Sequence, residues 1–554
     1  MYSRPEKRAA RRIIWNRAVD LLTSSRASSR VIADGFMAEA GAYLAKQYPG
    51  AFGKGTAFPG VLKRWRSYAS SEYGTRLPRD LKIAYLCGPN PRNDLDCLVN
   101  LGVRIQNVWA IEADRDTSTK ALEEARRSFP ELKIVPFKAH AFFEMAPVKF
   151  DVVYLDFTAP LFSLDKKHFE ALHSLFDCQA LSDLSVVVVN SCFPDEGQGI
   201  AEFLASFVAA MPSVPAALTE DACDRDNSFD RKFERYTDGA GPRADTPFEF
   251  CDQLAEAGIR DLYSAFSTGY PIAYAAAVQP FLRTLKQAAL RHRIFAKGDV
   301  IAEELHRFND IHTALSAMVG IPPREDRDRS GFRMLSPESA PLSWWLDLCQ
   351  QQPEGLVGQR WCRMYEAKLP GNISRREAVE WGDLLRCAAE GYLDTLSEKL
   401  FLAIQNVARA LPDRDVALFA DSPTLPLWIE TAVNQLGEPH HANVERHRRY
   451  AYRARKREMC LDIFVFDRCR PFYNWLPLPE LYGDDLQRIE RQMVARLCLD
   501  AIAKQSHELV PYALQWANVV PKSYGGAKHF DFAYLRRRVQ IARSKKKDSK
   551  GAPG

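Results

Sequence analysis

The chain's 12 cysteines contain no Cys-x-x-Cys pair, which argues against zinc ribbons and disulfide frameworks. No apolar run approaches the roughly 18 residues of a membrane span, and no short apolar stretch precedes a small-residue cleavage site. The Gly-x-x-x-x-Gly-Lys-Ser/Thr loop of nucleoside triphosphatases is missing, as is the Gly-x-Gly-x-x-Gly of dinucleotide enzymes, so an NAD-dependent oxidoreductase is a weak option. His440-His441 has no third ligand at recognisable spacing, so no metal is expected. Strong charge of either sign is also lacking: 75 basic against 70 acidic residues leave a net +5. The location of charge must therefore carry any argument about partners. These absences fit a cytoplasmic protein with no membrane partner. The Arg-rich start KRAARRIIWNRAVDLL reads as a first helix with a basic face; an organelle transit peptide is the alternative.

At 554 residues the chain exceeds what one core serves. Four parts are expected: an N-terminal helical region (1–80), an α/β core (81–215), a linker and helical region (216–345), and a helical or mixed C-terminal region with a basic tail (346–554). The clearest signal lies between 81 and 215. KIAYLCG, NVWAIEAD, LKIVPF, FDVVYLDF and LSVVVVNS are short runs, several rich in β-branched residues, alternating with NDLDCLVNLG, DTSTKALEEARRSF, HAFFEM and DKKHFEALHSLF. Uninterrupted apolar runs separated by amphipathic segments indicate a parallel sheet covered on both faces. The expected fold is α/β, a Rossmann-like, mostly parallel sheet with large helical N-terminal, insertion and C-terminal additions. Two later runs, Val416–Phe419 and Leu461–Phe466, are expected to complete that sheet across the helical insertion.

Right-handed crossovers bring every parallel strand's C-terminal end to one edge, where ligands bind. The first strand ends at Cys87-Gly88-Pro89-Asn90-Pro91, and a glycine there permits a sharp turn and close approach to backbone N–H groups. Asn93 or Asp94 can cap the next helix. The second strand ends at Glu112, near Asp114, and a carboxylate at that point can accept both hydroxyls of a ribose. The fourth ends in Tyr154-Leu155-Asp156-Phe157-Thr158-Ala159-Pro160, over the middle of the edge.

These residues resemble the core of class I S-adenosylmethionine (SAM)-dependent methyltransferases, over about a quarter of the chain. The resemblance implies a methyltransferase-like fold, SAM as cofactor, and a binding site of Gly88, Asn90, Glu112 and Asp114. It also implies a substrate side at Asp156, which would accept a proton or polarise an exocyclic amine, and Phe157, which would stack on a base. The loop holds one glycine beside Pro89 and Pro91, and proline removes N–H donors. That motivates a second expectation: a catalytically silent, methyltransferase-like scaffold that contacts nucleic acid or a protein partner.

Two segments concentrate positive charge. Arg448, Arg449, Tyr450, Tyr452, Arg453, Arg455, Lys456 and Arg457 interleave cations with aromatic rings, a composition suited to RNA or exposed, single-stranded nucleic acid. The solvated face of a helix is the plainer interpretation. Arg536-Arg537-Arg538 and the following lysines form a simpler cationic arm. The combined expectation is a SAM-dependent methyltransferase-like enzyme acting on nucleic acid.

Overall fold

The computed structural model describes residues 5–31, 58–163, 167–195, 199–210, 258–286, 356–389, 437–454 without 444, 457–475 and 538–541, with short pieces between 38 and 55 and at 345, 417–419, 422–423, 519–520 and 528–529. The five expected runs form β1 (Ile83–Leu86), β2 (Val108–Ile111), β3 (Lys133–Val135), β4 (Phe150–Asp156) and β5 (Leu181–Cys192). Later in the chain come β6 (Ala417–Phe419), β7 (Ser422–Pro423), β8 (His441–Ala442), β9 (Arg448–Ala454) and β10 (Arg457–Asp467). The short strands β11 (Val519–Val520), β12 (Lys528–His529) and β13 (Val539–Gln540) complete the set described.

One mixed, mostly parallel sheet runs in the order β3-β2-β1-β4-β5-β10-β9-β13, with β8 paired to β10. Strands β1 to β5 pair in parallel. β10 then runs antiparallel to β5 from Met459↔Cys192 to Asp467↔Leu184, and β9 runs antiparallel to β10. Leu461–Phe466 thus joins the sheet as the sequence suggests: β10 is buried on both faces from Met459 to Asp467, which only a central strand can be. The other expected run does not join. Ala417–Phe419 pairs instead with Ser422–Pro423 in a separate ribbon, a partner whose proline has no N–H to extend a ladder.

Helices cover both faces. On one lie α1 (Pro5–Leu22), α4 (Arg92–Asn100) and α5 (Arg115–Ser128), whose Ile14, Trp15, Leu95, Leu98 and Ala121 share a core with Tyr85, Tyr154, Val186, Val188 and Ile463 of the strands. Trp15 stands edge-on to Tyr85 and Tyr154 at 6.0 and 5.7 Å. Between α1 and α4 in the chain come α2 (Arg26–Ser29) and α3 (Phe58–Tyr73). The opposite face carries α6 (Ala139–Met145) and α7 (His168–Asp177). Their Phe142 and Phe176 meet Phe150 and Phe466 at 5.7 and 5.2 Å. HAFFEM is helical, with Phe142 and Phe143 anchoring it on that face. Next are α8 (Ile200–Ala210) and α9 (Ile259–Ala273), the latter continuing through a π-helical turn, Tyr274–Val278, into α10 (Gln279–Leu285). α11 (Leu356–Glu366), α12 (Arg375–Ala389) and α13 (Arg470–Trp475) follow. Among the described residues no helix is long and apolar enough to cross a membrane.

The N-terminal segment is tied to the strand bottoms through Asp467, the last residue of β10. Its carboxylate accepts the Val31 and Cys469 N–H groups at 2.9 and 2.8 Å and the Tyr73 hydroxyl at 2.8 Å. Burial raises its pKa to about 6, against the opposition of those donors. The folded state therefore prefers the protonated form relative to the unfolded chain. This group's contribution to stability is best below the ordinary carboxylate pKa and declines as pH rises through about 6. Wild type should gain about 2 kcal/mol over Asp467→Asn between pH 7 and pH 4.5 in urea titrations, and a flat difference refutes the shift.

Candidate functional site

Four strand ends meet on the C-terminal edge of the sheet. Gly88, after β1, sits at φ +62°, a conformation that glycine adopts without strain. Asn90 is exposed in the following turn, where its carbonyl takes the Asn93 side-chain amide at 3.1 Å. The next helix is capped by neither expected residue. Pro91 occupies the cap, and Asp94 turns inward to accept the Trp15 indole N–H at 2.9 Å and pair with Arg11 at 3.3 Å. Burial raises the Asp94 pKa and the Arg11 guanidinium opposes it. α1 is thereby locked to the glycine loop.

Glu112, after β2, is half-buried. Its backbone N–H joins β3 by bonding the Val135 carbonyl at 3.0 Å, and its carboxylate accepts the Asp114 N–H at 3.0 Å. Burial raises its pKa, while the N–H groups of Asp114, Ala113 and Gly88 pull it down. A carboxylate offers about four acceptor positions, so these donors hold Glu112 in place and leave capacity for a ligand. Asp114 is exposed and caps α5 by accepting the Thr117 N–H at 2.9 Å, the role its N-cap position favours. The loop after β3 adds Phe137, a residue that is 50% exposed and that no motif marks. An aromatic residue just beyond the third strand was the available signal.

Asp156, at the end of β4, keeps a side chain only 13% exposed. It accepts the Asn190 amide at 2.6 Å and faces the Lys7 ammonium at 3.5 Å. Asn190 also donates to the Tyr452 hydroxyl at 2.9 Å, yet its buried Oδ1 has no donor among the described residues. Phe157 is placed differently from the expectation. It is buried and stacked on His168 at 3.9 Å, so it secures the loop and offers no free face to a base. Tyr263 pins the same loop, donating to Ser191 at 2.8 Å and accepting the Leu161 N–H at 2.7 Å.

The basic segment is built of strands and not of a helix face, and it divides by side. Arg449 is buried and points with Asp462 into the space under α9, its guanidinium bonding the Ser264 carbonyl at 2.8 Å. Arg448 folds back on the carbonyls of Glu445 and His447. Tyr450 and Tyr452 pack in the core against α1. Arg449 and Tyr452 are thus closed to nucleic acid, because strand alternation drives each into an interior face. Arg453 and Arg457 remain exposed at the β9–β10 turn, next to the Cys192 end of β5, with Arg457 Nη1 3.6 Å from Cys192 Sγ. Arg455 and Lys456 lie outside the described residues. Arg538, expected in a free cationic arm, is buried and pairs with Asp462 at 2.8 Å just before β13. Charge was legible in the sequence, but its partners were not.

The edge thus combines an anchored carboxylate beside a glycine turn, a second carboxylate, Asp156, held by the buried Asn190 amide, and exposed arginines on one flank. Among the described residues no group of three His, Cys, Asp or Glu side chains is arranged to hold a metal ion. No protein-family model matches the chain, and no curated protein is significantly similar to it.

Proposed function

We propose that this protein is a SAM-dependent methyltransferase-like enzyme whose acceptor is an amino group on nucleic acid. The observation that carries this reading is the strand order β3-β2-β1-β4-β5-β10-β9 with β10 reversed. It is the order of the class I methyltransferase sheet, and it gathers Gly88, Glu112 and Asp156 along one edge. The residues present fit the cofactor: the φ +62° glycine opens the loop backbone, and Glu112 has acceptor capacity left for a ribose. The exposed Phe137 ring suits a purine face. When bound, the sulfonium would supply the activated methyl group. The protein's own residues would align the acceptor: an amine donates an N–H to Asp156, whose carboxylate the buried Asn190 amide holds in place, so that the amine's lone pair is kept in line. Lys7 keeps the Asp156 charge compensated until the amine arrives.

Calorimetric titration of the full chain with SAM tests the reading. Dissociation in the micromolar range supports it, and no heat at about 1 mM ends it. For the nucleic-acid half, Arg453→Ala with Arg457→Ala should weaken binding to single-stranded RNA and lower the slope of log affinity on log salt by about 1–2. An unchanged slope removes these arginines from the interface.

A silent binding scaffold is the second reading, favoured by the closed stacking of Phe157 and by the Lys7 contact on Asp156. It expects RNA or protein binding that is indifferent to Asp156→Ala, without methyl transfer.

A further inference from the structure

A cavity of about 590 Å³ opens along the outer side of α6 and α7, sharing no residue with the strand-end site. Its floor is α7, which contributes Glu170, Ser174 and Asp177, with Lys167 and Cys178 at its two ends. One wall is α6, through His140 and Glu144. The other is α11 and the turn after it, through Arg360, Arg363, Met364 and Lys368.

The relative direction of α7 and α11 follows from their buried contacts. Trp361 meets Phe169 at 4.6 Å and Tyr365 meets His173 at 5.8 Å, while Lys368 pairs with Asp177. The two helices therefore run side by side in the same sense. At about 1.5 Å per residue, α7 makes the groove roughly 16 Å long. Its size lies within the range of small-molecule pockets, roughly 300–1,000 Å³.

Charge is separated across it. Asp177 and Lys368 satisfy each other at the far end, with the Tyr274 hydroxyl on the same carboxylate, and Lys167 adds a cation at the opposite end of α7. Glu144 and Glu170 stand on the α6–α7 side, and Arg360 and Arg363 stand one turn apart on α11. None of these four forms an ion pair among the described residues, although all line one cavity. A nucleic-acid backbone would bring phosphates against the two glutamates, and a polyamine would meet the two guanidiniums. Both are repelled by half of the groove.

We propose that this groove binds a small zwitterionic molecule. The arginines of α11 would grip its carboxylate or phosphate, and Glu144 with Glu170 would take its ammonium group. Arginine pairs with either anion through two parallel N–H donors, and the glutamates provide the only unpaired anions facing it among the lining residues.

The test is calorimetry on the full chain with two probes, the dipeptide lysyl-glutamate and phosphoethanolamine, beside glutarate and putrescine as single-sign controls. At least one zwitterion should bind, with both controls about tenfold weaker or worse, and which zwitterion binds identifies the anion. Arg363→Glu and Glu144→Lys should each weaken that binding by about tenfold or more without moving the melting temperature, since both side chains are exposed. The proposal is overturned if neither zwitterion gives heat at about 10 mM, if a control binds as tightly, or if binding survives both substitutions. SAM binding at the strand-end site is measured separately and is not required.

Discussion

Alanine at position 462 should lower the unfolding free energy by about 3–5 kcal/mol, the cost of stripping a partner from buried charges. Asp462 lies in the middle of β10, under α9, with its side chain 2% exposed. It accepts from Arg538 at 2.8 Å, from the Thr268 hydroxyl at 2.8 Å and from His447 at 3.1 Å, with Arg449 at 3.7 Å. Burial alone would raise its pKa. Arg538, His447 and Arg449 outweigh burial and hold it well below the carboxylate range. Its stabilising contribution is thus fully present above the ordinary carboxylate pKa and is lost only as pH falls further toward its folded value. Without it, two enclosed guanidiniums lose this carboxylate, while neutral groups such as those of Ser264 and Ser267 remain beside them. The network also binds three distant parts of the chain, α9, the β9–β10 pair and the segment entering β13. Cooperative loss of structure in urea titration is therefore expected; a change under about 1 kcal/mol would contradict this account.

Glu112→Ala should weaken SAM binding by about a hundredfold while changing stability little. A charge-assisted hydrogen bond to a ribose hydroxyl, at the acceptor position that the three N–H groups leave, is worth roughly 1.5–3 kcal/mol, which reaches that loss. The stability effect is small because Glu112 is half-buried and its bonds with Gly88, Ala113 and Asp114 connect neighbouring loops at the surface. Calorimetry beside a thermal melt separates the two. Unaltered SAM affinity in a folded Glu112→Ala protein would move the ribose elsewhere.

Residue patterns exposed much of the sheet and less of the site. Runs such as Val186–Val189 declare a strand covered on both faces, because no polar residue interrupts them. Leu461–Phe466 declared itself in the same way. Ala417–Phe419 has a similar texture but ended in a separate ribbon, since three apolar residues specify extension and not a partner. Of the site, Glu112 and Asp156 were legible from their places at strand ends, whereas Asn190, Lys7 and Phe137 were not. Asn190 follows an apolar run, beside Ser191, and gains meaning only from the neighbouring strand, where Asp156 lies opposite it. Lys7 precedes Asp156 by 149 positions.

The amino-acid sequence by itself determined the strand and helix segments of the core and the edge at which they end, because periodicity and β-branched runs act over a few residues. Only the tertiary structure decided what each charge is for. Arg449 and Arg538 look like surface cations and are interior ones, while Arg453 stays outside, one strand position from the buried Tyr452. Coulomb and desolvation energies depend on which groups lie within a few ångströms, and those neighbours come from segments hundreds of residues apart.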